Sequence, residues 1–251
     1  MIDPLYLAQF RFDPRALLAH ARLRGRNQRA GDLGYVTHMV LKELFGSQAP
    51  RPFRIKTTGE IFTVLGYSRH DHQTLLATAR AVAEPDVFGL WHHEGPFTKQ
   101  LPEWRAGQPF GFELWAVPSR RIGHRTATQG DERLRALKDE RATYEVDAWV
   151  AERLRLGADA PSREETYRRW LVEQVARLGG ATLERVELDA HRERFARRGK
   201  PVDEAARSEL PRVLYRGRLC ITDPTAFHAL IARGIGRHRA FGLGMVLLRP
   251  A

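Results

Sequence analysis

Apolar and polar residues alternate along the first patterned stretch of the chain. From Leu5 to Phe12, Tyr6, Ala8, Phe10 and Phe12 share one side, and Leu7, Gln9 and Arg11 the other. That is the period of a half-buried strand. Pro14 to Ala21 predicts a short helix, and Arg22 to Gly31 a polar, basic loop. The period then changes: Asp32 opens a helix over Leu33–Phe45 that stops at Gly46, with Val36, Val40 and Leu44 on one side. Arg51–Lys56 and Ile61–Tyr67 predict a strand pair turning at Thr58-Gly59-Glu60. Asp71–Ala83 predicts a helix with Leu75, Leu76, Ala79 and Val82 on its apolar side, and Val87–His92 a further strand. The order β-α-β-β-α-β is ferredoxin-like.

A loop rich in Pro and Gly, from Gly95 to Gly107, separates this unit from a second one. Phe110–Val117 predicts its first strand. Thr126–Ala160 is polar, helical in pattern and peripheral. Ser162 caps a helix through Leu178, with Glu165 placed to complete a capping box. Thr182–Phe195 and Leu210–Ile221 predict paired strands with a tip at Arg197-Arg198-Gly199-Lys200. Asp223-Pro224 starts a helix that Gly234 closes, and Phe241–Leu248 predicts the last strand, with Gly242 and Gly244 on one face. The same order thus occurs twice. The expected fold is α+β, two tandem ferredoxin-like (RRM-like) domains, residues 1–104 and 105–251.

Charge adds what the pattern lacks. Lys and Arg total 41 against 30 Asp and Glu, a formal net charge of +11. The excess is +3 over residues 1–116 and +8 over 117–251. A basic second half points to a phosphate-bearing partner, and three clusters could meet it: Arg120/Arg121/Arg125, the tip carrying Arg197, Arg198 and Lys200, and Arg237/His238/Arg239. No apolar run approaches the length of a membrane span, the first residues lack the pattern of a secretory signal, and the lone Cys220 sits in an apolar strand. A cytoplasmic protein is the expectation.

The densest chemistry lies near the end of the chain. Gly234, Gly236, Gly242 and Gly244 surround Arg237, His238, Arg239 and Phe241 within twelve positions. Glycines on one face let another backbone come close, and the adjacent cations suit a polyanion; a glycine-rich turn with solvated arginines fits the same pattern. A second stripe lies on the Leu33–Phe45 helix. Tyr35, His38 and Lys42 fall within roughly 60° of one another, opposite the apolar side. RNA is cleaved without a metal when the ribose 2′-hydroxyl attacks the adjacent phosphate. Histidine then serves as proton carrier, and a phenol and an ammonium bind or stabilise the developing charge. A solvated helix face with an idle histidine is the plain alternative. His70, His72, His92 and His93 come with no recognisable metal-ligand set, so no metal or other cofactor is expected.

The block Tyr215-Arg216-Gly217-Arg218-Leu219, Asp223-Pro224, Leu230 to Gly236 and Ala240 to Met245 resembles the C-terminal signature of CasE. CasE is the repeat-processing endoribonuclease family of type I-E CRISPR systems. The similarity extends through Glu165–Leu178 and Leu101–Val117. Tyr35-Val36-Thr37-His38 resembles the family segment whose histidine is catalytic and whose tyrosine lies three residues before it. The resemblance implies two ferredoxin-like domains, a CRISPR repeat stem-loop bound across the second domain, retention of the processed guide, and entry into the Cascade complex. Lys42 is not part of that motif. The family usually reaches this helix soon after the first strand, whereas here about twenty residues intervene, and they contain a competing histidine, His20. Two further functions remain open: a non-catalytic tandem RNA-binding module, and a structural subunit of a ribonucleoprotein. His38 lying beside the Gly234–Gly244 loop would favour the enzyme.

Overall fold

A computed structural model describes residues 3–25, 33–58, 61–94, 97–123, 143–194 and 209–251. The first unit contains β1 (Tyr6–Phe12), α1 (Pro14–Leu23), α2 (Leu33–Phe45), β2 (Phe53–Thr58), β3 (Ile61–Ser68), α3 (His72–Val82), the one-turn α4 (Pro85–Phe88) and β4 (Thr98–Gln100). Its sheet has the order β2-β3-β1-β4 with every neighbour antiparallel. That is the ferredoxin-like arrangement: each β-α-β crossover leaves a gap that a third strand fills.

Two predicted boundaries move. The stretch Val87–His92 is not a strand. Pro85 at the first helical position starts α4, and only Trp91 makes an isolated bridge, to Phe12. The fourth strand is Thr98–Gln100, three polar residues on the edge beside β1, too short and too polar to show an alternating pattern.

The second unit contains β5 (Pro109–Ala116), β6 (Ser119–Gly123), β7 (Thr143–Asp147), α5 (Ala148–Leu156), α6 (Arg163–Leu178), β8 (Ala181–Arg194), β9 (Glu209–Ile221), α7 (Pro224–Arg233) and β10 (Val246–Arg249). Its main sheet, β10-β5-β9-β8, repeats the first topology. Between β5 and α6 stands an addition: β6 and β7 pair as a separate two-stranded sheet, so part of the stretch read as helical is a strand. The last strand is also shorter than expected. Phe241–Met245 is not extended, and Gly242 and Gly244 have φ of 78° and 82°, so the chain turns there and β10 begins only at Val246.

Capping fixes where the helices begin. Asp13, Asp71, Asp147, Ser162 and Asp223 each accept a backbone N–H in the first turn of the helix that follows. One core packs α2 and α3 on β1–β3 around Phe10, Phe12, Phe45, Phe53 and Phe62. The other packs α6 and α7 on β5 and β9 around Phe112, Tyr167, Trp170, Tyr215 and Phe227. The second core also takes in Leu5 and Tyr67 of the first unit. The Tyr67 hydroxyl donates to the Val246 carbonyl at 2.6 Å, and burial pushes its pKa up, so the phenol stays protonated. Arg54 of β2 pairs with Glu113 of β5. The two units therefore share an interface rather than a flexible tether.

Candidate active site

The apolar side of α2 (Val36, Val40, Leu41 and Leu44) is buried, and Lys42 is exposed. Tyr35 and His38 are half-buried. What covers this part of the helix is the glycine-rich segment after α7. A Cβ added to Gly34 would lie 2.3 Å from the Phe241 carbonyl oxygen and 3.0 Å from its Cα, so only glycine allows this helix to touch that turn. Beside the contact, the Tyr35 and Phe241 rings lie 6.3 Å apart. Gly34 and His38 are one helical turn apart and share a face, and Lys42 is one turn further. The structure thus docks the Gly34–Tyr35 end of α2, the helix that carries His38, on the segment that the sequence singled out independently.

His20 is placed differently. It is buried on α1, its Nε2 lies 2.8 Å from Glu43 Oε2, and its Nδ1 lies 3.8 Å from Asp86 Oδ2. Five residues along α2 put Glu43 well round the helix from His38. The competing histidine ties α1 to α2 and is shut off from solvent.

The glycine-rich segment folds on itself. Gly234, Gly236, Gly242 and Gly244 all have positive φ, a conformation that costs glycine nothing. Ile235 N–H donates to the Gly244 carbonyl at 2.8 Å, and Gly244 N–H donates to Trp115 of β5 at 2.7 Å. A Cβ on Gly234 would lie 2.5 Å from the Gly244 oxygen, one on Gly236 3.1 Å from Trp170, and one on Gly242 3.3 Å from Phe53. The close backbone approach predicted for a bound polyanion is made here by the protein's own chain. The cations of the segment carry its surface chemistry.

Those cations are organised by a residue outside the predicted set. Glu145 of β7 reaches Arg237 Nε at 3.0 Å and His238 Nε2 at 3.1 Å, and it accepts a hydrogen bond from Ser119 Oγ at 2.5 Å. Burial alone would raise the Glu145 carboxyl. Hydrogen bonds from His238 and Ser119, and the charges of His238 and Arg237, outweigh burial and hold its pKa at about 2. His238 has φ 60°, the one non-glycine residue with positive φ among those described, and its ring lies 5.9 Å from Phe241. Arg239 turns the other way: its Nη1 donates to the Arg233 carbonyl at 2.6 Å, and burial together with Arg233 and Arg51 lowers its pKa.

Of the other predicted contacts, Arg121 is exposed on β6, cross-strand from Glu145. Arg120 faces away, ion-paired to Glu173 at 2.6 Å, with Glu152 3.9 Å off. Arg125, Arg197, Arg198 and Lys200 lie outside the described residues. Among the described residues no group of three or more His, Cys, Asp or Glu is arranged to hold a metal, and no helix is long and apolar enough to cross a membrane. Sequence reasoning missed Glu145 and Gly34. For Gly34 a signal was present, since a glycine inside a helix costs about 1 kcal/mol and often marks close packing. For Glu145 the signal was weak: Tyr144 and Val146 alternate with Glu145 and Asp147 inside a stretch read as helical.

The family model described as "CRISPR associated protein" matches residues 5–250. The chain belongs to that family. The CasE resemblance is borne out by solved structures. Thermus thermophilus Cse3, bound to an RNA representing a pre-cleavage complex, superposes with a TM-score of 0.57 at 17% identity over 98% of this chain and 100% of that one. Escherichia coli Cas6e gives 0.57 at 20% identity, again over 98% and 100%. A chain of a CRISPR RNA-guided surveillance complex gives 0.52 at 16%, with the same coverage. At such identities the likeness establishes the fold, which is the tandem ferredoxin-like one that the sequence predicted. No curated protein matches the sequence.

Proposed function

We propose that this CRISPR-associated protein is a metal-independent endoribonuclease that binds a CRISPR repeat stem-loop and cleaves precursor RNA into guide RNA. The observation that carries the proposal is the docking of the His38 helix on the cationic glycine-rich segment through Gly34, Tyr35 and Phe241. Membership of the CRISPR-associated family supports it, as do its structural neighbours, a Cse3 with bound RNA and a chain of an RNA-guided surveillance complex.

In this mechanism the stem lies across the second domain, and the scissile phosphate sits between the Tyr35/His38 face of α2 and the Arg237–His238 turn. The 2′-hydroxyl of the nucleotide before the cut attacks phosphorus as its proton is removed, and the 5′-oxygen leaves as it gains one. His38 is the proton carrier, able to work near neutral pH. Tyr35 and Lys42 bind or stabilise the charge that grows on the non-bridging oxygens. The products are a 2′,3′-cyclic phosphate and a 5′-hydroxyl. The protein stays on the guide and joins the effector complex. The burial and ion pairing of His20 support His38 as the functional histidine.

The test uses labelled RNA carrying the repeats found near the gene. Cleavage proceeds in excess EDTA and stops with a 2′-deoxy nucleotide before the cut. His38→Ala abolishes cutting and leaves stem-loop binding intact, whereas His20→Ala still cuts. Magnesium-dependent cutting, or full-rate cutting by His38→Ala, would overturn the mechanism. RNA binding with no cutting by the wild type would leave the non-catalytic RNA-binding module.

A further inference from the structure

We infer that Glu145 is a positioning residue for the cleavage site, holding the Arg237–His238 turn in one arrangement beside the helix that carries His38. The inference rests on the endoribonuclease proposal for its consequence, though not for its geometry. Four observations converge on it. First, β6 and β7 form a sheet of their own, outside both ferredoxin-like sheets, so their place in the molecule is set by what they touch. Second, one carboxylate oxygen of β7, Glu145 Oε1, gathers Ser119 from β6 and Arg237 and His238 from the turn, all within 3.1 Å. Third, the turn it holds is strained: His238 has φ 60°, a region where side-chain-bearing residues sit at a cost of about 1–3 kcal/mol unless the surroundings hold them. Fourth, the His238 ring stands 5.9 Å from Phe241, which in turn meets Tyr35 of the His38 helix.

The hydrogen bond also selects a proton position. Because His238 Nε2 faces the Glu145 carboxylate, the neutral ring carries its proton there. The guanidinium of Arg237 meets Glu145 through Nε, which leaves its terminal nitrogens for another anion. Its side chain is 43% exposed against 18% for His238 and 18% for Glu145, so the clamp is sheltered and the cation it holds is not. A phosphate arriving at α2 therefore finds an oriented arginine on a turn that is already held in place.

Wild type, Glu145→Ala and Glu145→Gln are compared in two measurements. In the first, 15N-histidine NMR without RNA reads the His238 tautomer at a pH where the ring is neutral, its signal assigned through His238→Gln. The wild type is fixed as the Nε2–H form, Glu145→Ala becomes a mixture, and Glu145→Gln, whose amide oxygen still accepts the bond, stays close to wild type. In the second, single-turnover cleavage at saturating repeat RNA falls about 10- to 100-fold in Glu145→Ala and less in Glu145→Gln, with RNA affinity changed less than about threefold. An unchanged tautomer in Glu145→Ala overturns the inference. So does an unchanged cleavage rate with tighter RNA binding, which would make Glu145 a screen for Arg237. A wild type that never cuts the repeat defeats the cleavage proposal instead, while the tautomer still decides whether Glu145 orients the ring.

Discussion

Gly34→Ala is the smallest change that tests whether α2 and the glycine-rich turn form one site. The new methyl would stand 2.3 Å from the Phe241 carbonyl oxygen and 2.8 Å from its carbonyl carbon, where ordinary contact begins at 3.4 Å. Both obstacles are backbone, which cannot rotate aside as a side chain can. The helix and the turn must therefore part by about 1 Å. Overpacking of this kind costs about 1–3 kcal/mol, and replacing a helical glycine with alanine returns about 1 kcal/mol. The net destabilisation is then about 0–2 kcal/mol, and the protein stays folded. Function is hit harder, because a misplacement of about 1 Å can cost about 100-fold in rate. Single-turnover cleavage of repeat RNA should fall by about that factor, with affinity for the stem nearly unchanged, since no basic side chain is touched. Gly89→Ala is the control: its added methyl meets nothing closer than 3.4 Å, and both rate and melting temperature should hold. A Gly34→Ala protein that cuts within threefold of wild type would refute the idea that this contact assembles the site.

Two further outcomes are expected besides those tied to the proposals above. The Glu145 carboxyl is held at about 2 in the fold against an ordinary 4.5. A lowered carboxylate pKa stabilises the fold above the unfolded value, and the gain disappears as pH falls through the folded one, which corresponds to about 3 kcal/mol between pH ~4.5 and ~2. In urea unfolding, the stability gap between wild type and Glu145→Gln should close as pH falls from about 5 toward 2; a gap that ignores pH would contradict the ion-pair assignment. Neutralising Arg197, Arg198 and Lys200 together should cost far more RNA affinity than neutralising Arg22, Arg24 and Arg26, and should reduce the salt slope by about one unit per lost phosphate contact. Arg24 is already engaged by Glu84 at 2.5 Å and Asp86 at 3.7 Å; equal losses for the two trios in titrations at two salt concentrations would make residues 22–26 an RNA-binding arm.

Elements whose signals are local could be read from the residues alone. Caps at Ser162 and Asp223 are hydrogen bonds within one turn of chain, so the residue and its successors suffice to place them. The alternation in Tyr6–Phe12 and the helical spacing on Leu33–Phe45 likewise declare which face is buried, and with the doubled element order they gave the fold class. Tertiary structure alone decided matters that depend on partners distant in the chain. A three-residue polar strand at Thr98–Gln100 exists because β1 offers it an edge. The sequence left His20 as a competitor of His38; in the fold Glu43 and Asp86 close on His20, and the glycine-rich turn comes to the helix of His38. Whether the four glycines face a ligand or their own chain was equally invisible, since the atoms filling their Cβ positions come from Gly244, Trp170, Phe53 and Ile235. Glu145 stands 92 residues before Arg237 and shares no local pattern with it; only a folded β6–β7 sheet can bring one carboxylate to both Arg237 and His238. Caps and periodicities are written in neighbours a few residues apart, whereas a site is a set of distances across the chain, and those are fixed only when the two cores pack.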